Sequence, residues 1–422
     1  MWELIQANKR KTVILFFAMG MALVLLGYLV GDYFIPGEGG VYGVIIALFV
    51  WFIMSMVSYF AGSSILLSVS RAQQVTPEIH QQLFDVVEEM QIAANLPKMP
   101  KVYIINEEAP NAFATGIKPE NSAITVTAGL LSKLNRDELQ GVISHEISHI
   151  ANRDILVMTF AGILLGSIVI ISEVFLNGLW FSGGSSGRYS SNSSSDNGQA
   201  QIILMVVAIM FAILAPIVAQ LLYLAISRRR EYLADANGAR LTRYPEGLAS
   251  ALEKISSTDI DLKAANKVTA PMYIVNPLKK KGMKLLDLTS THPPTSERIK
   301  ILRNMAGGAD FISYQNAFNS VKGKSTAIIP NSGLTDKTPV EIRKPTGIKE
   351  TLGKIKQKRS LGDLMMTVNK YAFIACVCGL KIKVPPNYKG HSITCPRCGR
   401  KNEVPPLAEI STISKAVQNI KV

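Results

Sequence analysis

The hydrophobic residues of this chain are concentrated in four long runs that carry almost no charge. The runs cover residues 12–30, 41–70, 155–181 and 201–227, and the third contains one acidic residue, Glu173. A helix rises about 1.5 Å per residue, so each run is long enough to cross a hydrocarbon layer of about 30 Å. The pattern therefore predicts four transmembrane helices.

The first run has an alternative interpretation, because Lys9, Arg10 and Lys11 precede it as the charged segment of a signal peptide would. The run is long, however, and no small-x-small cleavage site follows it. A second apolar run begins soon afterwards. These features favour an uncleaved membrane anchor.

The placement of Lys and Arg predicts the orientation of the four helices. Basic residues precede the first and third runs and follow the second and fourth. The loop 31–40 has no Lys or Arg, and the loop 182–200 has only Arg188. Cytoplasmic loops are enriched in these residues, so both termini and the large polar regions are predicted to be cytoplasmic.

The polar segment between the second and third runs mixes helix and strand patterns. A Thr-Pro-Glu sequence that starts at Thr76 predicts a helix N-terminus, with apolar residues at helical spacing after it. The segments 101–105 and 122–127 predict strands. Asn135 and Glu138 have the spacing of a capping box, which predicts that another helix starts there.

The helix predicted after Asn135 contains the sequence His-Glu-Ile-Ser-His, with histidines at 145 and 149. Residues four apart project from one helix face, so His145 and His149 can bind one zinc ion. Glu146 can then accept a proton from water that the metal activates. The alternative is an amphipathic helix with two surface histidines, but the flanking residues are small or apolar. The motif therefore predicts a catalytic zinc site with Glu146 as general base.

A hydrolytic zinc site needs a third protein ligand. If the third and fourth runs form a helical hairpin, their cytoplasmic ends lie at the same level. His149 lies six residues before the third run, and Glu231 lies four residues after the fourth. Glu231 is therefore the predicted third ligand, and Asp235, one turn later, is predicted to orient a ligand histidine. The alternative for Glu231 is an ion pair with the arginines that precede it.

The chain resembles the HtpX family of integral membrane zinc metallopeptidases in four stretches: NAFATG (111–116), HEISHIANRD (145–154), RRREYLAD (228–235) and THPPTSERI (291–299). The similarity extends over about residues 1–307. It implies a mainly α fold, with four transmembrane helices and a gluzincin-like α+β peptidase domain in the cytoplasm. It also implies ATP-independent endopeptidase activity, quality control of membrane proteins under stress, and a prokaryotic inner membrane.

Within this resemblance, the family's H-E-x-x-H and E-x-x-x-D arrangements fall on His145, Glu146, His149, Glu231 and Asp235. The spacing matches the family pattern without departure. The resemblance thus implies the same ligand set that the spacing of the histidines and the helical hairpin predicts.

The stretch 111–116 resembles the edge strand of gluzincin proteases, which binds a peptide by strand addition. Asn111 and Ala112 are the predicted main-chain contacts. The alternative is a connection from strand to turn that Gly116 closes.

The stretch 291–299 supplies His292 and Arg298, and either could stabilise the tetrahedral oxyanion. The alternative is a structural role, which is favoured for His292. For Arg298 the two roles stay open, the structural one being a pair with Asp235 or Glu297. His80 and His391 have no partners at ligand spacing and are expected to be ordinary surface histidines, which completes the five histidines of the chain.

A second metal site is predicted near the C-terminus. In a cytoplasmic segment, two closely spaced cysteine pairs favour a closed structural zinc site over disulfides. The residues between the pairs predict two short strands around a turn, and the module resembles a zinc ribbon. Its first pair is C-x-C rather than C-x-x-C, and the common HtpX pattern does not require such a module. The four cysteines are Cys376, Cys378, Cys395 and Cys398.

These patterns divide the chain into four parts. Residues 1–70 are predicted as two transmembrane helices, and residues 71–321 as the metallopeptidase domain with the other two. Residues 322–362, rich in Lys, Thr, Pro and Gly, are predicted as a linker, and residues 363–422 as the zinc-ribbon-like domain.

The net charge of +14 is attributed to basic residues near anionic lipid. No basic stretch is interleaved with stacking aromatics, so nucleic acid is not an expected partner. The predicted partners are protein or peptide substrates and the lipid bilayer, and the predicted cofactors are one catalytic and one structural Zn²⁺. The alternative function is a membrane-anchored adaptor that works through the zinc ribbon. The intact Glu146 favours the enzyme.

Overall fold

The computed structural model begins with two long helices that pack against each other, α1 (Trp2–Phe34) and α2 (Gly39–Val69). Glycines line their contact. A Cβ placed on Gly43 would lie 2.0 Å from the carbonyl oxygen of Gly27, so only glycine allows the two backbones to approach this closely. Such small-residue crossings are typical of helices that pack together in membranes.

The structure describes most of the chain, with gaps in the third and fourth apolar runs, at several places between residues 264 and 353, and at the C-terminus. Isolated helical positions between 158 and 217 are also described. The continuous segments are 2–35, 37–156, 228–263, 270–277, 292–305, 307–323, 327–335, 338, 340–346 and 354–404.

Two of the four predicted membrane helices fall on described residues. Helix α2 is long and apolar enough to cross a membrane, and α1 contains a shorter apolar segment, Phe16–Asp32. The runs 155–181 and 201–227 lie outside the described residues apart from isolated positions. Among the residues that the structure describes, there is thus one candidate membrane span rather than four.

Residues 72–303 belong to the predicted metallopeptidase domain and are called the peptidase region below. They combine a four-stranded sheet with surrounding helices. The strand order is β1-β2-β4-β3, in which β2 and β4 are parallel and the two outer pairs are antiparallel. Strand β3 therefore lies at an edge. The elements are β1 (Ala72–Gln74), α3 (Gln81–Ala93), β2 (Lys101–Ile105), β3 (Ala112–Gly116), β4 (Ser122–Thr127), α4 (Ala128–Lys133), α5 (Arg136–Ala151), α6 (described over 228–242), α7 (Pro245–Ser256) and α8 (Thr295–Arg303), with 3₁₀ turns at Pro119–Asn121 and Ala270–Met272.

Helix α5 lies at the centre of this region and packs against α3, α7 and β3. Its start matches the predicted capping box. Asn135 Oδ1 accepts from the backbone N–H of Glu138, and the Glu138 carboxylate accepts from that of Asn135, both at 2.9 Å. Gly141 allows close contact with α7, because a Cβ there would lie 2.6 Å from the backbone nitrogen of Leu248. The capping box thus determines where α5 begins, and Gly141 allows α5 to pack closely against α7.

The strands predicted at 101–105 and 122–127 are confirmed, but the helix start predicted at Thr76 is wrong. Residues 76–79 form a turn that closes with a bond from Ile79 N to Thr76 O. Helix α3 begins later because His80 is its N-cap, with Nδ1 accepting from Leu83 N at 3.2 Å. His80 is therefore a half-buried capping residue rather than an ordinary surface histidine, whereas His391 is exposed as predicted.

The chain beyond α8 stays in contact with the peptidase region. It forms α9 (Phe311–Lys322) and α10 (Asn331–Leu334), and residues 340–346 then run along the start of α5. Helix α11 (Lys354–Val368) packs on α4 and adds apolar side chains to the main core. Much of the described part of the segment predicted as a linker thus lies against the peptidase region.

Two short antiparallel hairpins follow α11. Strands β5 (Ala372–Ala375) and β6 (Lys381–Val384) form the first, and β7 (Ser392–Thr394) and β8 (Lys401–Glu403) form the second. The two strands predicted between the cysteine pairs are β6 and β7. Each pairs with a strand outside that segment rather than with the other, so that each hairpin presents one cysteine pair at its turn.

Replacing Arg343 by alanine should lower the free energy of unfolding by about 1.5–3 kcal/mol, because hydrogen bonds to a charged group are lost at the first turn of α5. Arg343 Nη2 donates to Asp137 Oδ1 at 2.7 Å and to Gln140 Oε1 at 2.6 Å, and its Nε donates to Thr242 O at 2.9 Å. Thermal and denaturant unfolding in detergent would measure the loss. Lys344→Ala, a change at the exposed neighbour, is the control and should have little effect.

This loss should depend on pH. Burial raises the pKa of Asp137, but hydrogen bonds from Thr346 and Arg343 outweigh burial and lower it below the ordinary 3.8. A carboxyl with a lowered pKa stabilises the fold above its ordinary pKa, and this stabilisation disappears as the pH falls through the folded value. The difference between wild type and Arg343→Ala should therefore shrink below about pH 4. A difference that stays constant from pH 7 to pH 3 would contradict the role given to Asp137.

Candidate active site

Helices α5 and α6 bring the predicted zinc ligands together. Gly238 on α6 faces α5 closely, since a Cβ there would lie 3.1 Å from Ser144 Oγ and 3.3 Å from the backbone nitrogen of His145. This close packing places the carboxylate of Glu231 beside the imidazoles of His145 and His149. All three side chains are buried.

The three side chains form a compact triangle of possible ligand atoms. His145 Nε2 and His149 Nε2 are 3.3 Å apart, and the Glu231 oxygens lie 3.4 Å from His149 Nε2 and 3.6 Å from His145 Nε2. Zinc binds nitrogen and oxygen at about 2.0–2.2 Å, so two ligands of one tetrahedral ion lie about 3.3–3.6 Å apart. The observed separations match this value. The residues present therefore fit a zinc ion, and Glu231 Oε2 accepts no hydrogen bond within the described part of the chain.

Each ligand histidine is held by a carboxylate on its other nitrogen. His145 Nδ1 lies 3.0 Å from Asp235 Oδ1, and His149 Nδ1 lies 3.0 Å from Asp154 Oδ2. A proton on Nδ1 that is donated to the carboxylate leaves Nε2 as the lone-pair donor, which is the tautomer that a metal ligand needs. The placement of Asp235 agrees with its predicted role.

Asp154 is a site residue that the sequence reasoning missed. It follows α5, which ends at Ala151, and it returns to His149 because Arg153 takes a left-handed conformation with φ of 62°. Non-glycine residues rarely adopt this conformation, so the turn cannot be read from residue type. The available signal was its place in the stretch 145–154, five residues after His149.

The buried carboxylates of the site stabilise positive charge that lies between them. Burial lowers the pKa of His149, but Asp154 and Glu231 outweigh burial and raise it to about 10. Burial raises the pKa of Glu231, but the nearby histidines outweigh burial and hold it well below its ordinary value. A divalent cation would supply this positive charge without protonating the imidazoles.

Glu146 lies between the histidine pair and the edge strand. Its carboxylate is fully buried and accepts a hydrogen bond from the backbone N–H of Ala114 on β3. Burial raises the pKa of Glu146, and the two histidines oppose this shift. A buried carboxylate with a raised pKa is suited to moving protons near neutral pH.

Arg298 is fully buried and holds Asp235 with two hydrogen bonds, of 2.8 Å from Nε and 2.7 Å from Nη2. Its Nη1 donates to Ile274 O at 3.0 Å and lies 3.4 Å from Glu231 Oε2. These contacts agree with the alternative given above, in which Arg298 has a structural role and pairs with Asp235. Glu297 instead bonds Lys322 and Tyr232.

His292 also reaches the site, with Nε2 at 3.5 Å from Glu231 Oε2. Burial lowers its pKa to about 4, because the attraction of Glu231 does not compensate for burial and for the positive charge of Arg298. His292 is therefore neutral at pH 7 and can donate one hydrogen bond beside the triangle.

At the start of the edge strand β3, backbone groups already have hydrogen-bond partners within the chain. Ile274 N donates to Ala112 O at 2.9 Å, and Asn111 Nδ2 donates to Val275 O at 2.8 Å. The backbone of Asn111 is bonded to Thr127 on β4. Asn111 thus holds the segment 274–275 in place rather than presenting its backbone at the edge. The register turns the backbone groups of Ala112, Ala114 and Gly116 outward from the sheet.

The four cysteines also converge, since their sulfur atoms all lie within 4.8 Å of one another. The pairs Cys376–Cys398 and Cys378–Cys395 are 3.5 Å and 3.6 Å apart. Two sulfur ligands of a tetrahedral zinc at about 2.3 Å lie about 3.8 Å apart. The backbone N–H of Cys378 lowers the pKa of Cys376 to about 6, whereas the neighbouring cysteines outweigh the backbone N–H of Arg400 and raise the pKa of Cys398 to about 11. A metal would supply the positive charge that four thiolates together need. This donor set fits a closed metal site.

Comparison with known proteins agrees with this geometry. Residues 73–306 match Peptidase family M48. A "Protease HtpX homolog" of Dictyoglomus thermophilum is 45% identical over 304 residues, 72% of this chain and 94% of that protein. One of Thermoanaerobacter pseudethanolicus is 42% identical over 305 residues, 72% of this chain and 98% of that protein. The crystal structure of S. mikatae Ste24p is 20% identical with a TM-score of 0.36, and the match covers 72% of this chain and 67% of that one. From the two HtpX homologs and the M48 match, the chain belongs to the HtpX family of zinc metalloproteases.

Proposed function

We propose that this protease is a membrane-integrated zinc endopeptidase that cleaves misfolded or membrane-associated proteins at the cytoplasmic face. The observation that carries the proposal is the buried triangle of His145, His149 and Glu231, with Glu146 between it and the edge strand. The basic residues that flank the apolar runs support the cytoplasmic placement. Quality control under stress is the role that the HtpX resemblance implies.

In this proposal His145, His149 and Glu231 hold the catalytic zinc. When bound, zinc acidifies water and polarises the peptide carbonyl. Glu146 takes the proton of the attacking water and returns it to the leaving amine. The bond from Ala114 N–H keeps the Glu146 carboxylate next to β3, where a peptide would lie. Asp235 and Asp154 hold the two imidazoles in the required tautomer.

His292 and Arg298 take different roles in the proposal. The donors of Arg298 are used by Asp235 and by Ile274 O, so Arg298 positions Asp235 rather than binding substrate. His292 is neutral and beside the triangle, so it is the better donor to the developing oxyanion.

Substrate would bind along β3 as an added strand. The outward carbonyl of Ala112 is already bonded to Ile274 and the N–H of Ala114 to Glu146, so the added strand would pair at the carbonyl of Ala114. Main-chain pairing does not depend on side chains, which suits a protease that acts on unfolded proteins of varied sequence.

The proposal can be tested with full-length protein purified in detergent and an unfolded protein whose two termini are chemically blocked. We expect internal cleavage, its loss after zinc is removed with a chelator, and its return when zinc is added back. Cleavage only of chains with free termini would contradict the endopeptidase assignment. The adaptor alternative instead expects no zinc-dependent cleavage at all.

Replacing Asp154 by asparagine should weaken zinc binding about 10–100-fold, because the carboxylate that orients His149 is lost. The affinity would be measured by competition with a chromogenic chelator. Asp363→Asn is a suitable control, because Asp363 is about 38% exposed and lies on α11, outside the triangle. Equal zinc affinity in Asp154→Asn and wild type would remove Asp154 from the site.

We also propose that Cys376, Cys378, Cys395 and Cys398 hold a structural zinc. The chain should then bind two zinc ions, and Cys395→Ser should bind one while peptide cleavage continues. Metal analysis by mass spectrometry after gel filtration would count them. Two ions in both proteins would contradict a metal on the cysteines.

A further inference from the structure

A cavity of about 420 Å³ lies between helix α2 and the sheet, apart from the zinc triangle. One wall comes from the last turns of α2, and the other from β2 and the loop that joins β3 to β4. Helix α2 also contacts β1 and β3. The lining residues that matter are Tyr59, Phe60, Ser63, Lys101, Lys118 and Asn121.

The sheet side of the cavity is positively charged. Lys101 and Lys118 both line it, and no acidic side chain is among its lining residues. Within the described part of the chain, neither lysine has a carboxylate partner. Two unpaired ammonium groups at one cavity attract an anion. Ser63 and Asn121 add neutral hydrogen-bond donors to the same space.

The α2 side of the cavity is apolar and aromatic. Phe60 is 73% exposed and Tyr59 is 41% exposed. Both belong to α2, which is apolar enough to cross a membrane. Tyrosine is enriched where membrane helices meet the lipid headgroups. Exposed apolar side chains at this level suit contact with acyl chains.

The cavity lies at the membrane boundary if α2 spans the bilayer. Tyr59 is ten residues before Val69, where α2 ends, so the α2 wall extends about 15 Å along the helix. The strand β1 starts at Ala72, just after this end. Tyr59 and Phe60 then lie deeper toward the hydrocarbon than the end of α2, whereas the two lysines belong to the polar region that follows α2.

We propose that this cavity binds the headgroup of an anionic phospholipid. Its phosphate would lie between Lys101 and Lys118, and its acyl chains would follow Tyr59 and Phe60 along α2. The arrangement of cations above apolar rings matches an amphipathic ligand with its anionic group at the interface. A soluble phosphate would contact the lysines but would not cover the exposed ring of Phe60. The proposal rests on the membrane placement of α2 and is independent of the catalytic roles.

Native mass spectrometry of the full-length protein from detergent would count retained lipid. We expect wild type to retain phosphatidylglycerol in preference to phosphatidylcholine, and the double variant Lys101→Gln/Lys118→Gln to bind phosphatidylglycerol about 30-fold more weakly. The control variant Lys300→Gln/Lys358→Gln removes the same charge at two exposed lysines outside the cavity. It should bind phosphatidylglycerol like wild type.

Three results would overturn the proposal. The first is equal retention of the two lipids by wild type. The second is equal phosphatidylglycerol affinity in the cavity variant and the control variant, with both folded by thermal unfolding. The third is competition by inorganic phosphate that is as strong as competition by phosphatidylglycerol, which would assign the cavity to a soluble anion. Zinc-dependent cleavage in detergent is measured separately, so failure of the lipid site leaves the peptidase proposal intact.

Discussion

Replacing Glu146 by glutamine should reduce cleavage of an unfolded protein by about 10²–10⁴-fold, while zinc content and the unfolding temperature stay close to wild type. Glutamine keeps the shape of the side chain, and its oxygen can still accept from Ala114 N–H. It cannot take a proton from water, so the general-base step is lost. The change also removes a buried charge that lies near the carboxylate of Glu231, so it should not destabilise the fold.

Glu138→Gln is the matched control, because Glu138 lies on the same helix and is also buried. Its carboxylate bonds Ser250 at 2.6 Å and Lys254 at 2.7 Å, away from the triangle. This variant should lose stability but keep the activity of its folded fraction. Initial rates would be measured at matched concentrations of zinc-loaded protein. Equal rates for Glu146→Gln and wild type would falsify the assignment of Glu146 and point to a contaminating protease.

The second large effect is expected at Arg298. Arg298→Met should lower the free energy of unfolding by about 3–5 kcal/mol, because it leaves Asp235 and Glu231 buried without their cation. Both carboxylates are almost completely inaccessible, and Arg298 is fully buried beside them. The loss should be largest in zinc-free protein, since the metal compensates part of the missing charge.

Arg303→Met provides a comparison on the same helix, α8. Arg303 pairs with Glu246 and Glu253, but all three side chains are at least 40% exposed. Exposed ion pairs contribute little, so this variant should unfold almost like wild type. Both would be measured by denaturant titration with and without a chelator. A similar loss for the two variants would show that burial does not determine the strength of the Arg298 contacts.

The histidine pair of the zinc triangle could be predicted because it follows from helical periodicity. Two histidines four apart must share a helix face, and α5 places them as expected. Glu231 was predicted from the expected hairpin of the third and fourth runs, which lie mostly outside the described residues. The structure shows Glu231 close to the two histidines, while the hairpin of the third and fourth runs stays a prediction.

The remaining site contacts depend on loops whose conformation the residue pattern does not determine. Asp154 reaches His149 only through the left-handed turn at Arg153. Residues 274–275 lie on β3 although Ile274 is 162 positions from Ala112, to which it bonds. Contacts of this kind arise from tertiary packing, which helical and strand periodicity cannot encode. The same reason explains why the pairing of the C-terminal strands was not foreseen.

The bonds of Arg343 to the first turn of α5 have a consequence for where this protein can be divided. The family match ends at residue 306, yet Asp137 and Gln140 obtain partners from residue 343, and α11 completes the apolar surface over α4. A fragment cut at the family boundary would therefore expose part of its own core. The smallest unit expected to fold independently reaches to about residue 368. In this chain the segment shared with the family is therefore shorter than the segment needed for a stable fold.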